Sequence, residues 1–272
     1  MRIACVFVPQ IALQAALRRV PELRGTAVAL IGGAPRKTNG SGSGSGAPSA
    51  GAANSNERRR QGRPLSGPAP KMQRVLTISA EARRAGVRLG VTAAQAAASC
   101  PGLTLLPVAE ADVTAADAAL ADLGFAFAPR IECEPARVFF ETGDLTQLYP
   151  SEMAITQAIQ ARAVRIGLGV RVAIASRKGV ARVATRAAER AVVPAGAEAA
   201  FLAPLPLRVL GEPLPPELTD TFQRWGLGTV GALARLTPAD VGLRLGNAGA
   251  ALHRLARGQN NDTDDPFLPA LP

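Results

Sequence analysis

Histidine occurs once in this chain of 272 residues and cysteine three times, and that scarcity removes several kinds of chemistry at the outset. Cys5, Cys100 and Cys133 are odd in number and widely spaced with no CxxC pair, while His253 stands alone. Neither a zinc site nor a Cys–His dyad can be assembled from them. Buried free thiols are the expectation, and they fit a reducing compartment. Long apolar runs are missing too. The stretch from Ile3 to Val8 is too short to span a bilayer, and no signal-peptide cleavage pattern follows it. The expectation is a soluble, cytoplasmic protein that meets no membrane. Acidic residues are absent before Glu22, so the first strand can supply no carboxylate to a metal.

What is present is positive charge. Lys and Arg number 31 against 21 Asp and Glu, a net charge of +10, the electrostatic footprint expected of a nucleic-acid partner. A genome that favours Arg and Ala would also supply part of that excess. The length is enough to bury a core, in one large domain or a few small ones.

Periodicity divides the chain into an α+β pattern. Arg2 to Val8 reads as a buried strand ended by Pro9, and residues 11–20 as a helix before Pro21. Residues 26–31 are the next strand. Residues 35–70 are a low-complexity segment of Gly, Ser, Ala, Asn and Pro with the cluster Arg58-Arg59-Arg60. It has too few apolar groups to offset the entropy of ordering, so a disordered, solvated loop is expected, whether a linker, an insertion or a basic arm. Residues 75–108 read strand, helix, turn, helix, strand. Strands at 2–8, 131–141 and 170–175, with amphipathic helices at 111–127 and 153–166, make a small sheet covered on one face. The remainder, from residue 202 to 258, is dense in short helices and turns.

Four motifs carry a resemblance. Glu134-Pro135-Ala136-Arg137-Val138-Phe139-Phe140-Glu141 resembles the Ser-Ile-Asp-Glu-Ala-Tyr-Leu-Asp segment of Y-family translesion DNA polymerases. Ser79-Ala80-Glu81-Ala82-Arg83-Arg84-Ala85-Gly86-Val87 resembles that family's fingers motif Tyr-Glu-Ala-Arg-x-x-Gly-Val. Residues 173–184, AIASRKGVARVA, resemble Gly-Ile-Ala-x-x-Lys-x-x-Ala-Lys-x-Ala. Arg224-Trp225-Gly226-Leu227-Gly228-Thr229-Val230-Gly231 has the Gly-hydrophobic-Gly core of a helix-hairpin-helix, followed by Leu243-Arg244-Leu245-Gly246.

The resemblance implies a Y-family polymerase hand. Its ferredoxin-like palm would take residues 1–9 and 108–198, small fingers 10–107, and a helical helix-hairpin-helix thumb 199–272. No third basic sheet domain, the family's little finger, is expected after Pro266-Phe267. The resemblance also implies losses. Ala136 and Arg137 stand where the family keeps an adjacent Asp and Glu on two magnesium ions, and the Pro21 turn sets Phe7 and Pro9 at the first-strand Asp positions. Ala12 replaces the aromatic gate against ribonucleotides, and Ala80 the Tyr beside the nucleotide. Arg83 and Lys178 remain as remnants of the triphosphate site, and Lys178 with Arg182 also fits plain solvated cations at a helix start. Glu132 or Glu134 in a shifted register would not restore the metal site, because the other strand has nothing to match them.

A helix-hairpin-helix lets backbone N–H groups approach phosphate without reading sequence, so Gly226, Gly228, Thr229 and Arg244 are the expected DNA contacts. Without the carboxylate cage, no metal, no cofactor and no nucleotidyl transfer are expected. Within the Y family this pattern resembles the non-catalytic ImuB-like members of bacterial mutasomes, which act in the damage-induced SOS response. That implies a scaffold for error-prone translesion synthesis and DNA repair that bridges an ImuA-like protein, an error-prone C-family polymerase and the sliding clamp. The clamp motif would lie beyond the thumb. The alternatives are an active translesion polymerase with atypical metal ligands, and a plain helix-hairpin-helix DNA-binding module.

Overall fold

The computed structural model describes residues 1–32, 73–211, 214–259 and 267–269. The expected loop at 35–70 lies outside the described residues. The chain forms two compact units, one of residues 1–19 and 109–272, the other of residues 20–108.

The first unit is built on a sheet whose centre is β1 (Ile3–Phe7). It runs antiparallel to β6 (Arg137–Glu141) on one side and to β7 (Arg171–Ala175) on the other. Beyond these lie β5 (Ile131–Glu134) at one edge and β8 (Arg190–Val192), parallel to β7, at the other. The order among the described residues is β5-β6-β1-β7-β8. The central strands are apolar without alternation, as strands buried on both faces must be. Ala4, Val6, Val138, Phe140, Val172 and Ile174 point to one face, where α4 (Glu110–Phe125) and α5 (Glu152–Arg165) cover them. On α5, Ile155, Ile159 and Ala163 recur at helical spacing and are fully buried. On α4, Gly124 lets helix and sheet approach closely, since a Cβ there would lie 2.8 Å from a methyl of Val138.

The opposite face is covered as well, and this corrects the expected single-faced sheet. Ile3, Cys5, Phe139, Ala173 and Ala175 pack under Val180, Ala181, Val183 and Ala184 of α6 (Lys178–Ala187), and apolar groups beyond residue 200 extend the same core. The helix follows β7 after two residues, and its own apolar stripe of Val180, Ala181, Val183 and Ala184 supplies that layer. Residues 131–141 are likewise not one strand but a hairpin, with Glu134 paired to Arg137 across Pro135-Ala136. The helix α1 (Ile11–Arg19) also belongs to this unit, so the second unit begins at Val20 rather than at residue 10. Arg19 pairs with Asp112 at 2.8 Å, and Gln14 accepts from the N–H of Gly169 at 2.6 Å.

The second unit is a sheet of β2 (Val28–Gly32) between β3 (Arg74–Ile78) and β4 (Thr104–Pro107). The helices α2 (Ala80–Arg84) and α3 (Ala93–Ser99) pack on it. Ser79 caps α2 and also ties its start to β2, donating to Thr26 and accepting from the N–H of Val28. Thr92 and Gln95 form a capping box at α3.

The first unit ends in three short helices, α7 (Glu198–Leu202), α8 (Pro216–Arg224) and α9 (Val230–Ala234), and a longer one, α10 (Pro238–Ala256). No helix among the described residues is long and apolar enough to cross a membrane.

Candidate functional site

Side chains two apart on a strand share a face, and residues paired across an antiparallel ladder share it too. By register, Phe7 therefore faces the same way as Arg137 on one side and Arg171 on the other, and Glu132 and Glu134 of β5 lie beside Phe139 and Arg137. The guanidinium of Arg137 sits 4.2 Å from the centre of the Phe7 ring, a cation–π stack. Two of the expected degenerate positions are thus in direct contact. The other two lie elsewhere. Pro9 follows the end of β1, where its carbonyl accepts from Gln14 at 2.8 Å.

Ala136 occupies the hairpin turn with φ +61°, a region that costs an L-residue about 1–2 kcal/mol. Its peptide is clamped on both sides. The N–H donates to Asp117 at 2.9 Å, and the carbonyl accepts from the N–H of Val8 at 2.9 Å. Such bracing is what holds a strained residue in place.

Lys178, at the start of α6, is buried at 5 % exposure. Its ammonium lies 2.6 Å from Glu132 and 3.0 Å from Glu134. One helical turn on, Arg182 reaches Glu134 at 2.6 Å. Both cations also lie over the face of Phe139, at 5.1 and 5.4 Å. The second oxygen of Glu132 accepts from the backbone N–H of Leu268 at 3.0 Å. Beneath this layer Cys5 is fully buried, and burial pushes its thiol up to about 12, so it remains protonated.

Sequence reasoning singled out Lys178 but missed its partners. The signal existed: carboxylates two apart on a strand and cations four apart on a helix each line one face. Their meeting depends on how helix and hairpin are packed.

A divalent magnesium site needs a cage of oxygen ligands. The side chains here do not fit one. The first strand offers Phe7 and Cys5, the second offers Arg137, and each neighbouring carboxylate has a cation within 3.0 Å. Among the described residues no three His, Cys, Asp or Glu side chains converge as a metal-binding group. Arg83 lies exposed on α2 of the second unit.

A separate arrangement occupies the turn between α8 and α9. Gly226 has φ +64°, and Thr229 caps α9 by accepting from the N–H of Ala232. A Cβ at Gly226 or Gly228 would meet nothing within 4 Å, so the backbone there faces open space. Gly231 is different: its N–H donates to Ala203 at 2.9 Å, and a Cβ would collide with that carbonyl. Arg244 of α10 stands 5.9 Å over the ring of Trp225, beside Leu243, which is 86 % exposed. The four expected DNA contacts thus fall on the turn and on α10, whose Arg244 touches the turn through Trp225. The N–H groups of Gly226, Leu227, Val230 and Gly231 are engaged within the protein, so what the turn offers an anionic backbone is close approach at its glycines and the cation of Arg244.

Comparison with known proteins follows the same outline. Residues 6–186 match the family described as IMS, impB/mucB/samB. The chain is 33 % identical over 191 residues to a DNA polymerase IV of Methanoculleus marisnigri, a match that takes in 68 % of this chain and 52 % of that protein. The chain spans about half the length of that curated relative. An insertion ternary complex of Dbh DNA polymerase superposes with a TM-score of 0.70 at 16 % identity, over 95 % of this chain and 68 % of that one. DinB from Sulfolobus solfataricus does so with a TM-score of 0.68 at 16 % identity, over 95 % and 67 %.

Proposed function

The chain belongs to the impB/mucB/samB family and has the α+β fold of a Y-family polymerase hand, and from that premise we propose that it is a hand that recruits rather than copies. In this reading it is a non-catalytic, ImuB-like scaffold of error-prone translesion synthesis. It holds DNA by the phosphate backbone and gathers protein partners: an ImuA-like protein, a C-family polymerase and, through a region beyond the thumb, the sliding clamp.

The observation that carries the reading is the stack of Arg137 on Phe7 at the ends of two neighbouring palm strands. A polymerase stabilises the attacking and leaving oxygens through two metals. Here the corresponding face presents a fixed cation and a ring, and a guanidinium repels a divalent ion. The carboxylates closest in register, Glu132 and Glu134, are engaged by Lys178 and Arg182. Releasing both for a metal would strand a largely buried ammonium.

Primer extension on a primed template, with all four nucleotides and either Mg²⁺ or Mn²⁺, is the decisive measurement. No product above the level of a no-enzyme control is expected with either ion. Template-dependent extension that disappears with EDTA would overturn the reading in favour of an active polymerase with unorthodox ligands.

A further inference from the structure

We propose that the groove beside α8 docks an acidic, leucine-bearing segment of a partner protein. A cavity of about 870 Å³ opens between residues 206–211 and α8, floored by Leu207, Val209 and Phe222. A second, of about 410 Å³, continues it along α6 and the later part of α10, and the two share Arg186, Gly211 and Leu214. Two cavities in series suit an elongated occupant. A compact ligand would need convergent polar groups to orient it, and the floor supplies few.

Charge decides which elongated occupant fits. The charged side chains lining the two cavities are all arginines, Arg208 and Arg186 at the first and Arg182 and Arg186 at the second; Arg182 is already paired with Glu134 at 2.6 Å, so Arg208 and Arg186 carry the rim. Arg208 is exposed, and Arg186 is steadied by donating to the carbonyl of Val209 at 2.9 Å. An apolar floor with cationic lips complements a helix that lays leucines into the groove and turns carboxylates to its rim. A nucleic-acid backbone would match the lips but gain nothing from the floor.

The proposal rests on the scaffold reading only in supposing that a partner exists. Fluorescence anisotropy on the full chain tests it, with a labelled peptide carrying Leu at i, i+3, i+4 and i+7 and Glu between them. The comparison is the same peptide with Lys for every Glu. The Glu peptide is expected to bind saturably and about tenfold or more tighter than the Lys peptide. The exposed substitution Arg208→Glu should shrink or invert that preference, and Phe222→Ala should weaken both peptides. Equal binding of the two peptides, binding of neither, or a preference untouched by Arg208→Glu would overturn it. So would sedimentation showing a dimer that Arg208→Glu dissolves, since a second copy would then be the occupant. Primer extension fails or succeeds independently of these outcomes, so loss of the groove and loss of the scaffold reading are distinguishable.

Discussion

At the scale of single residues, Lys178 shows how two carboxylates can hold one buried cation. Its ammonium lies between Glu132 and Glu134, with 5 % of its side chain exposed against 16 % and 27 % for the two acids. Removing one partner of a buried pair is costly because the other is left charged and undersolvated. Lys178→Ala leaves Glu132 without its ammonium, while Glu134 keeps Arg182. A loss of about 3 kcal/mol is expected in urea unfolding, the low end of the range for buried pairs because the acids stay partly wet. The double change Lys178→Met, Glu132→Gln should recover much of that loss, since it removes both charges of that pair and leaves Glu134 to Arg182. If Lys178→Ala alone proved neutral, the pairing would not be holding α6 to the hairpin. Arg137 adds a different lesson. Its identity reads directly from the sequence as the wrong charge for a metal, whereas its seat on Phe7 depends on two strands meeting in register.

At the scale of elements, the thumb is governed by glycines whose backbone no other residue adopts comfortably. Within α10, Gly246 has φ +61° and ψ −160°, which breaks the helix into two segments. That region is essentially restricted to glycine, and a side chain there costs about 1–3 kcal/mol. Gly246→Ala should therefore lower the thermal midpoint, by about 2–4 °C for each kcal/mol in a chain of this size. Gly228→Ala is the matched control. A Cβ there meets nothing within 4 Å, so the midpoint should hold while any drop in DNA affinity reports the close approach of a phosphate. Equal thermal effects from both substitutions would contradict the role given to the break. Such positions are visible in the sequence as glycines, but which of them bears a positive φ and which faces open space is not. The hairpin at Pro135-Ala136 was hidden for the opposite reason. Its left-handed residue is an alanine, held by Asp117 and Val8 from outside the turn, so no Gly or Asn marks it.

At the scale of the whole molecule, a net charge of +10 and an exposed turn with Arg244 predict DNA binding dominated by released counterions. The logarithm of the association constant should fall linearly with the logarithm of salt, by about 0.9 for each phosphate neutralised on a duplex. Arg244→Ala should make that slope shallower by about one and weaken binding evenly across sequences. Affinity should be the same in EDTA and in Mg²⁺, apart from the ionic strength the metal adds. A specific rise with Mg²⁺ at constant ionic strength would point to a metal bridging protein and phosphate.

The sequence by itself determined the strands at the centre of the sheet, the helices α4 and α5 and the lack of any acidic residue before Glu22, because each of these depends on local composition and periodicity or on residue identity. Tertiary structure alone decided what surrounds Phe7, Arg137 and Lys178. The pairs that join Glu132 and Glu134 to Lys178 and Arg182 span more than forty residues of chain, and the second cover of the sheet is α6, whose core is extended by apolar groups from beyond residue 200. Local patterning shows which side chains share a face but not which faces meet. Contacts between distant segments arise only when burying apolar surface brings those segments together and every charge caught between them must find an opposite.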